Sequence, residues 1–193
     1  MALRERATRA LARQLGHPRG RVGRLVAAVL NRRNASDVRA AVAAVPVRSG
    51  DVLADIGFGG GLGLDLLLRR SSADGGGRVH GVDVSETMVA AAARRFRRAV
   101  AGGRLRLHVG AMEALPLPDA SVDAAITLNT IYFVPDLAAA LGDVRRVLRP
   151  GGTLVVGFGD PRRMAGMAVT REGFSLRPTD EVIEALGAAG LGV

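Results

Sequence analysis

The chain has 193 residues, of which 48% are hydrophobic, enough to bury one well-packed core. The absence of cysteine excludes disulfides and thiolate chemistry, and His17, His80 and His108 lack the spacing of metal ligands, so we predict no metal site. With no apolar run near the ~20 residues of a membrane helix and no secretion signal, we expect one soluble cytoplasmic domain. Arginine without lysine, beside abundant alanine and glycine, is typical of a GC-rich bacterial genome.

The positive charge is concentrated at the start of the chain. Residues 1–50 carry eleven arginines against Glu5 and Asp37, a net charge of +9, whereas the remaining residues carry sixteen arginines and sixteen acids. This asymmetry favours an anionic substrate, nucleic acid or a membrane surface as a partner. A solvated helix that is rich in arginine explains it equally well.

Apolar residues recur at helical spacing in three segments of this basic region. We predict a first helix that ends near residues 16–18, a second over residues 20–30, and a third that Ser36 and Asp37 cap. The stripes are Leu3, Ala7, Ala10, Leu11 and Leu15; Val22, Leu25, Val26, Val29 and Leu30; and Val38, Ala41, Val42 and Val45. Because such stripes are usually packing faces, we expect residues 1–44 to form a helical cap and residues 45–193 the core.

The next segment predicts a strand, a tight loop and a helix. Val52–Ala54 leads into Asp55, a run of glycines follows, and leucines resume at residue 62. Glycines let the backbone approach a ligand, and the N–H groups of a helix start favour an anion. The glycine spacing of the dinucleotide-binding fingerprint is not met from Gly57 or from Gly59, and a P-loop requires a lysine, which the chain lacks. The pattern acidic-x-Gly-x-Gly-x-Gly is complete at Asp55, Gly57, Gly59 and Gly61.

Further segments follow in order, and together they carry a family resemblance. They are Arg78–Asp83 with the five residues after it, Gly110–Asp119, Ser121–Asn129 and Leu148–Leu154. With the glycine loop, they resemble motif I, post-I, the adenine loop, motif IV and the turn before strand 5 of class I S-adenosylmethionine-dependent methyltransferases. The resemblance covers residues 45–190, and within the family the chain is similar to the bacterial methyltransferases that act on small molecules.

The core alternates strands and helices, which predicts parallel pairing in a doubly wound, mostly parallel sheet of the Rossmann-like α/β class. We predict strands near 51–56, 78–83, 104–109, 122–128 and 152–158, and helices near 62–70, 85–99, 136–148 and 179–189. Ligand is expected beyond the carboxyl ends of strands 1 and 4. The family continues with two more strands, so we expect either a trimmed chain or a five-stranded core; residues 160–178 show no period.

The resemblance implies roles for individual residues. Gly57, Gly59 and Gly61 would cradle the methionine end of S-adenosylmethionine, with Asp55 near its ammonium and Asp83 on the ribose diol. Adenine would lie between Val84 and Met88, with Met112 and Glu113 at its edge and S-adenosylhomocysteine as product. Ala111 stands where the family often has an acid. Asn129, which also faces the cofactor, and Tyr132 are the candidate catalytic residues, and His17 is a further candidate in the cap.

We interpret the chain as an enzyme that methylates an anionic or apolar small molecule. The alternatives are an RNA methyltransferase, which the basic segment favours, and a non-catalytic relative that binds the cofactor. An aromatic content of 3% argues against nucleic acid, because single-stranded bases usually stack on aromatic rings. Asn129 also lacks the Pro-Pro-Tyr/Phe that follows it in methylases of DNA bases. We expect residues 1–34 to be a mobile cap that orders with cofactor, and we leave a homodimer open.

Overall fold

A computed structural model describes residues 2–73 and 76–193, and it confirms the doubly wound sheet. Five parallel strands in these residues form one sheet of order β3-β2-β1-β4-β5. They are β1 (Val52–Ile56), β2 (Arg78–Asp83), β3 (Leu105–Val109), β4 (Val122–Leu128) and β5 (Leu148–Gly157). The order reverses between β1 and β4, which are adjacent as predicted, so their carboxyl ends open the crevice in which such folds bind ligands.

Helices lie on both faces of the sheet. They are α1 (Ala2–Gly16), α2 (Gly20–Arg33), α3 (Ala35–Ala44), α4 (Leu62–Ala73), α5 (Glu86–Arg95), α6 (Arg97–Ala101), α7 (Leu137–Val147), α8 (Pro161–Ala165) and α9 (Thr179–Ala188). Leu53 and Val79 belong to a core with α3, α4 and α5, whereas Ala54 and Ile56 belong to a second core with α7. This alternation along β1 is the pattern of a strand that is buried on both sides.

Two predicted boundaries were wrong, and a stretch without a predicted element contains two short helices. The single helix predicted over 85–99 is divided at Phe96, whose backbone leaves helical geometry (φ −103°, ψ 25°) where its ring packs beside Gly61. The last strand begins at Leu148, because Leu148 already pairs with Val122 ahead of a register shift. The stretch 160–178 contains α8 and a short 3-10 helix over Ala168–Arg171.

Three of the five residues of the second apolar stripe face outward, which corrects the prediction, and Val26 and Leu30 are half-buried. The buried residues of α2 are Gly23 and Ala27, whereas Val22, Leu25 and Val29 are exposed. Small residues are buried here because the backbone of α2 lies close to the backbone at Pro18, where a Cβ on Gly23 would clash. Large side chains are therefore turned outward.

The third stripe is buried as predicted, but the capping residues were wrong. Val38, Ala41 and Val42 face the core from α3. The helix begins at Ala35, one residue before the predicted caps, because only Asn34 separates it from α2. Asn34 is therefore the N-cap, and it makes no side-chain capping hydrogen bond.

Two histidines meet on the neighbouring strands β2 and β3. His80 Nδ1 and His108 Nε2 are 3.0 Å apart, and the rings are stacked with centroids 5.2 Å apart. Burial, the neighbouring His108 and the charges of Arg106 and Arg78 lower the pKa of His80 to about 4, and burial and Arg106 also lower the pKa of His108. Both rings are therefore neutral at pH 7, one donating to the other.

We predict that this pair makes folding sensitive to acid. The folded pKa values lie below the unfolded value of about 6.5, so the unfolded chain takes up more protons and stability contributed by the pair is lost as pH falls from about 6.5 to about 4. Relative to a His80→Gln/His108→Gln variant, the wild type should lose about 1 to 2 kcal/mol of unfolding free energy over this window, because solvent screens the half-buried rings. Urea titrations at several pH values measure it.

His17→Gln, which changes the remaining histidine, is the matched control and should leave the pH-dependent difference in place. A difference between wild type and the double variant that stays constant with pH would contradict the prediction.

Candidate cofactor and active site

The loop between β1 and α4 can be built only with glycine at its turning points. Gly57, Gly59 and Gly61 all have positive φ (74°, 49° and 76°), a region that other residues rarely adopt. A Cβ on Gly57 would also clash with the hydroxyl of Thr130, which follows β4. The loop is tied to the next strand, because the N–H of Gly57 donates to the carbonyl of Val82 at 2.7 Å. The three motif glycines thus form one fixed cradle at the carboxyl edge of the sheet.

Asp83, at the end of β2, connects several segments at the carboxyl edge of the sheet. Its Oδ2 accepts the N–H of Gly59 and its Oδ1 accepts the N–H of Ser85, both at 2.8 Å. Its carbonyl accepts the N–H of Gly110 at 3.1 Å, which fixes the loop after β3. Burial raises the pKa of Asp83, and the two N–H donors and the charge of His17 oppose that rise. The side chain of Asp83 therefore joins the glycine loop to the start of α5, and its backbone carbonyl holds the predicted adenine loop.

Asp55 is a second buried carboxyl, at the end of β1. Burial and the charge of Asp83 raise the pKa of Asp55 to about 8, against the lowering effect of the Leu64 N–H. Its Oδ2 lies against Gly63, where a Cβ would clash. The acid thus sits at the N-terminus of α4, close to Asp83, and its raised pKa keeps it largely protonated at neutral pH.

The N-terminal helices lie over this edge. Ser85 Oγ donates to the carbonyl of Pro18, and the N–H of Gly20 donates to Thr87 Oγ1 at 3.2 Å. On α2, the side chain of Asn31 fills the space beside Gly60. The predicted cap is therefore seated on the glycine loop and on the start of α5, and its ordering by cofactor stays a prediction.

The predicted adenine residues are divided between surface and core. Val84 is 38% exposed, directly after Asp83, and Glu113 is half-buried in the loop that Asp83 fixes. Met88 and Met112 are 2% and 3% exposed and belong to the two hydrophobic cores. Val84 and Glu113 are thus accessible to an adenine, and the two methionines lie beneath the surface.

The two predicted catalytic residues lie near the end of β4. Asn129 has a positive φ of 57°, and its N–H donates to the carbonyl of Gly157 at 2.7 Å. Tyr132 is buried, its hydroxyl accepts the N–H of Gly159 at 2.5 Å, and burial raises its pKa. A neutral phenol held in this way fixes the chain after β5, and its high pKa disfavours a role as base.

Several contributors escaped the sequence reasoning. Thr130 and Asn31 contact the site only through tertiary packing, as Ser85 does in its bond to Pro18. Arg95 donates to the carbonyl of Gly60 at 3.1 Å from the far end of α5. Of these residues, only Ser85 could have been found from the sequence, because a serine before Glu86–Met88 is typical of a helix N-cap. Its Oγ does accept the N–H of Met88.

The donors of this edge suit one kind of ligand. Asp83 retains lone pairs for a diol, and a cation beside Asp55 would favour the ionised form of that buried acid. The N-terminus of α4, which follows the glycine loop, favours a carboxylate. A ligand with a ribose, an ammonium and a carboxylate meets all three requirements.

Comparison with known proteins identifies the same region. The profile of the methyltransferase-domain family matches residues 54–156. The chain is 35% identical over 113 residues to 27-O-demethylrifamycin SV methyltransferase of Amycolatopsis mediterranei, covering 58% of this chain and 40% of that protein. It is 36% identical over 126 residues to demethylmenaquinone methyltransferase of Tropheryma whipplei, covering 65% and 49%. The chain therefore spans less than half the length of these two relatives.

Among solved structures, geranyl diphosphate C-methyltransferase of Streptomyces coelicolor, in complex with S-adenosyl-L-homocysteine, superposes with a TM-score of 0.70. The match covers 90% of this chain and 66% of that one at 21% identity, which supports the fold alone. The matched family segment runs from β1 into β5, and it contains the glycine loop, Asp83 and Asn129. The chain belongs to the methyltransferase-domain family of class I S-adenosylmethionine-dependent methyltransferases.

Proposed function

We propose that the chain transfers a methyl group from S-adenosylmethionine to a small-molecule acceptor. The observation that carries the proposal is the meeting of Asp55, Asp83 and the glycine loop at one edge of the sheet, two buried carboxyls among backbone N–H donors. When bound, the cofactor supplies a methyl on a sulfonium, which is already activated toward a nucleophile. The protein then needs to align the two molecules and exclude water.

The residues divide that work. Asp83 accepts the ribose hydroxyls, and Asp55 balances the charge of the ammonium. The cap excludes water from this region, because Pro18, Gly20 and Asn31 lie on the glycine loop and on the start of α5. A cover of this kind keeps water from the reacting atoms.

The acceptor side is apolar and aromatic. Phe133 and Phe174 pack with centroids 4.6 Å apart, and Phe133 touches Gly16 at the end of α1. Tyr132 completes the cluster, 5.7 Å from Phe174. With the Tyr132 hydroxyl engaged by Gly159, we expect an acceptor that brings its own reactive nucleophile and an apolar or planar body. The rifamycin and demethylmenaquinone named in the two relatives are small molecules of this general kind.

We predict that Asp83→Asn weakens binding of S-adenosylhomocysteine about 100-fold, since losing a charged acceptor of two hydroxyl hydrogen bonds costs roughly 2–4 kcal/mol. Titration calorimetry measures the Kd, with circular dichroism to confirm folding. Asp180→Asn, the same change at an exposed position on α9, is the control and should bind as wild type. Normal binding by Asp83→Asn would show that the ribose site lies elsewhere.

We predict that cofactor binding strengthens as pH rises toward 8. The Asp55 carboxyl, with its pKa of about 8, is largely protonated in the free protein at neutral pH, and a cationic ligand favours the ionised form. Binding therefore releases a proton, and affinity climbs with pH until Asp55 is ionised in the free protein. Calorimetry from about pH 6 to about pH 8 in buffers of different ionisation enthalpy measures both effects. Asp55→Asn should flatten the profile, and a slope that it leaves unchanged would assign the proton to another group.

We predict that label from methyl-labelled S-adenosylmethionine enters low-mass organic extracts of bacteria and not RNA. RNA binding through the basic segment should be weak and lost near about 0.15 M salt, because each neutralised phosphate releases counterions. Asp83→Asn serves as the negative control for labelling. RNA binding that survives this salt, with label in the RNA, would replace the small-molecule acceptor by RNA.

A further inference from the structure

The outer face of α2, defined as Val22, Leu25 and Val29, is exposed although it is apolar. The three side chains are 61%, 67% and 49% exposed. Leu25 is two positions from both buried residues, Gly23 and Ala27, and at 100° per residue it points away from them. Val22 and Val29 are three and four positions from Leu25 and share its side of the helix. The face is therefore one continuous stripe directed outward.

Arginines border this stripe on both sides. By helical spacing, Arg21, Arg24 and Arg32 lie along one flank, and Arg33 lies along the other. All four are exposed, and within residues 2–73 and 76–193 none of them forms an ion pair with an acidic side chain. Their guanidinium groups are thus available to anions at the level of the apolar stripe.

We propose that α2 docks on an anionic phospholipid surface, with Val22, Leu25 and Val29 in the acyl boundary and the flanking arginines on headgroup phosphates. An apolar stripe between cationic flanks is the pattern of a helix that lies in the membrane interface. The net charge of +9 on residues 1–50 adds attraction to anionic lipid. No helix in the described part of the chain is long and apolar enough to cross a membrane, so the contact is with the surface.

The same features disfavour the other occupants. Nucleic acid would engage the arginines but would leave three large aliphatic side chains in water, and α2 has no aromatic residue on which a base could stack. A second copy that paired through this face would bring eight arginines together with no acid between them. Only a surface that is anionic outside and apolar inside satisfies both the stripe and its flanks.

The docking would place the candidate active site beside the lipid. Asn31, two residues after Val29 and on the opposite side of α2, fills the space next to Gly60, so the glycine loop lies beneath the docked helix. The proposal does not depend on the reaction, because binding to lipid is measured with no cofactor or acceptor present.

Cosedimentation with vesicles tests the proposal. We expect binding to vesicles that contain phosphatidylglycerol, much weaker binding to pure phosphatidylcholine, and a loss of affinity with salt. Leu25→Ser/Val29→Ser should lower the partition coefficient about tenfold or more, and Arg21→Gln/Arg32→Gln should lower it most at low salt. Ile183→Ser on α9, where the side chain is 46% exposed, is the matched control and should bind as wild type. The replaced side chains are exposed, and circular dichroism checks the fold of each variant.

Three outcomes would overturn the proposal. Wild-type protein that does not bind anionic vesicles would exclude a lipid partner. A Leu25→Ser/Val29→Ser protein that binds vesicles as well as wild type reduces the effect to charge alone. Wild type that is dimeric by native mass spectrometry, and monomeric after Leu25→Arg, assigns the stripe to a second copy.

Discussion

The carboxylate of Asp83 is the constraint on which the candidate site depends. It receives one N–H from the glycine loop and one from the start of α5, and the chain at the same residue holds the loop after β3. Because charge-assisted bonds to backbone N–H groups are stronger than neutral ones, three segments are fixed by one residue. The strand order places all three at the same edge, since parallel strands end on the same side of a sheet. The fold thus preorganises the carboxylate of Asp83, the proposed acceptor of the ribose diol, before any ligand arrives.

The cap is seated through the same junction. Ser85 uses its N–H on Asp83 and its hydroxyl on Pro18, so the end of β2 connects the cofactor edge to the helices above it. Those helices approach closely because Gly23 and Ala27 face inward. The consequence of packing through small residues is that Leu25 and its neighbours face outward. The seating of the cap and the exposed stripe of α2 are therefore two results of one arrangement.

The sequence predicted the features that follow from local pattern. The five strands, their parallel pairing and the glycine loop came from alternating periods and from a motif that needs positive φ at three positions. Prediction from the sequence failed where tertiary packing determines the structure. The division of a helix at Phe96 depends on a ring that packs beside Gly61, and the burial of α2 depends on which neighbour is present rather than on apolar spacing. The raised pKa of Asp55 needs the fold as well, because Asp83 is 28 residues distant in sequence yet close in space.

Hydrogen exchange of the amides that Asp83 organises tests this account most directly. S-adenosylhomocysteine should slow exchange at Gly59 and Ser85 and also across residues 20–33, because Asp83 binds both amides and Ser85 in turn contacts the cap at Pro18. In Asp83→Asn, exchange at these amides should be faster without ligand, and the ligand should no longer protect α2. Protection of α2 that persists in Asp83→Asn, or a wild-type protein in which ligand changes the loop and leaves the cap unaffected, would contradict the claim that this residue couples them.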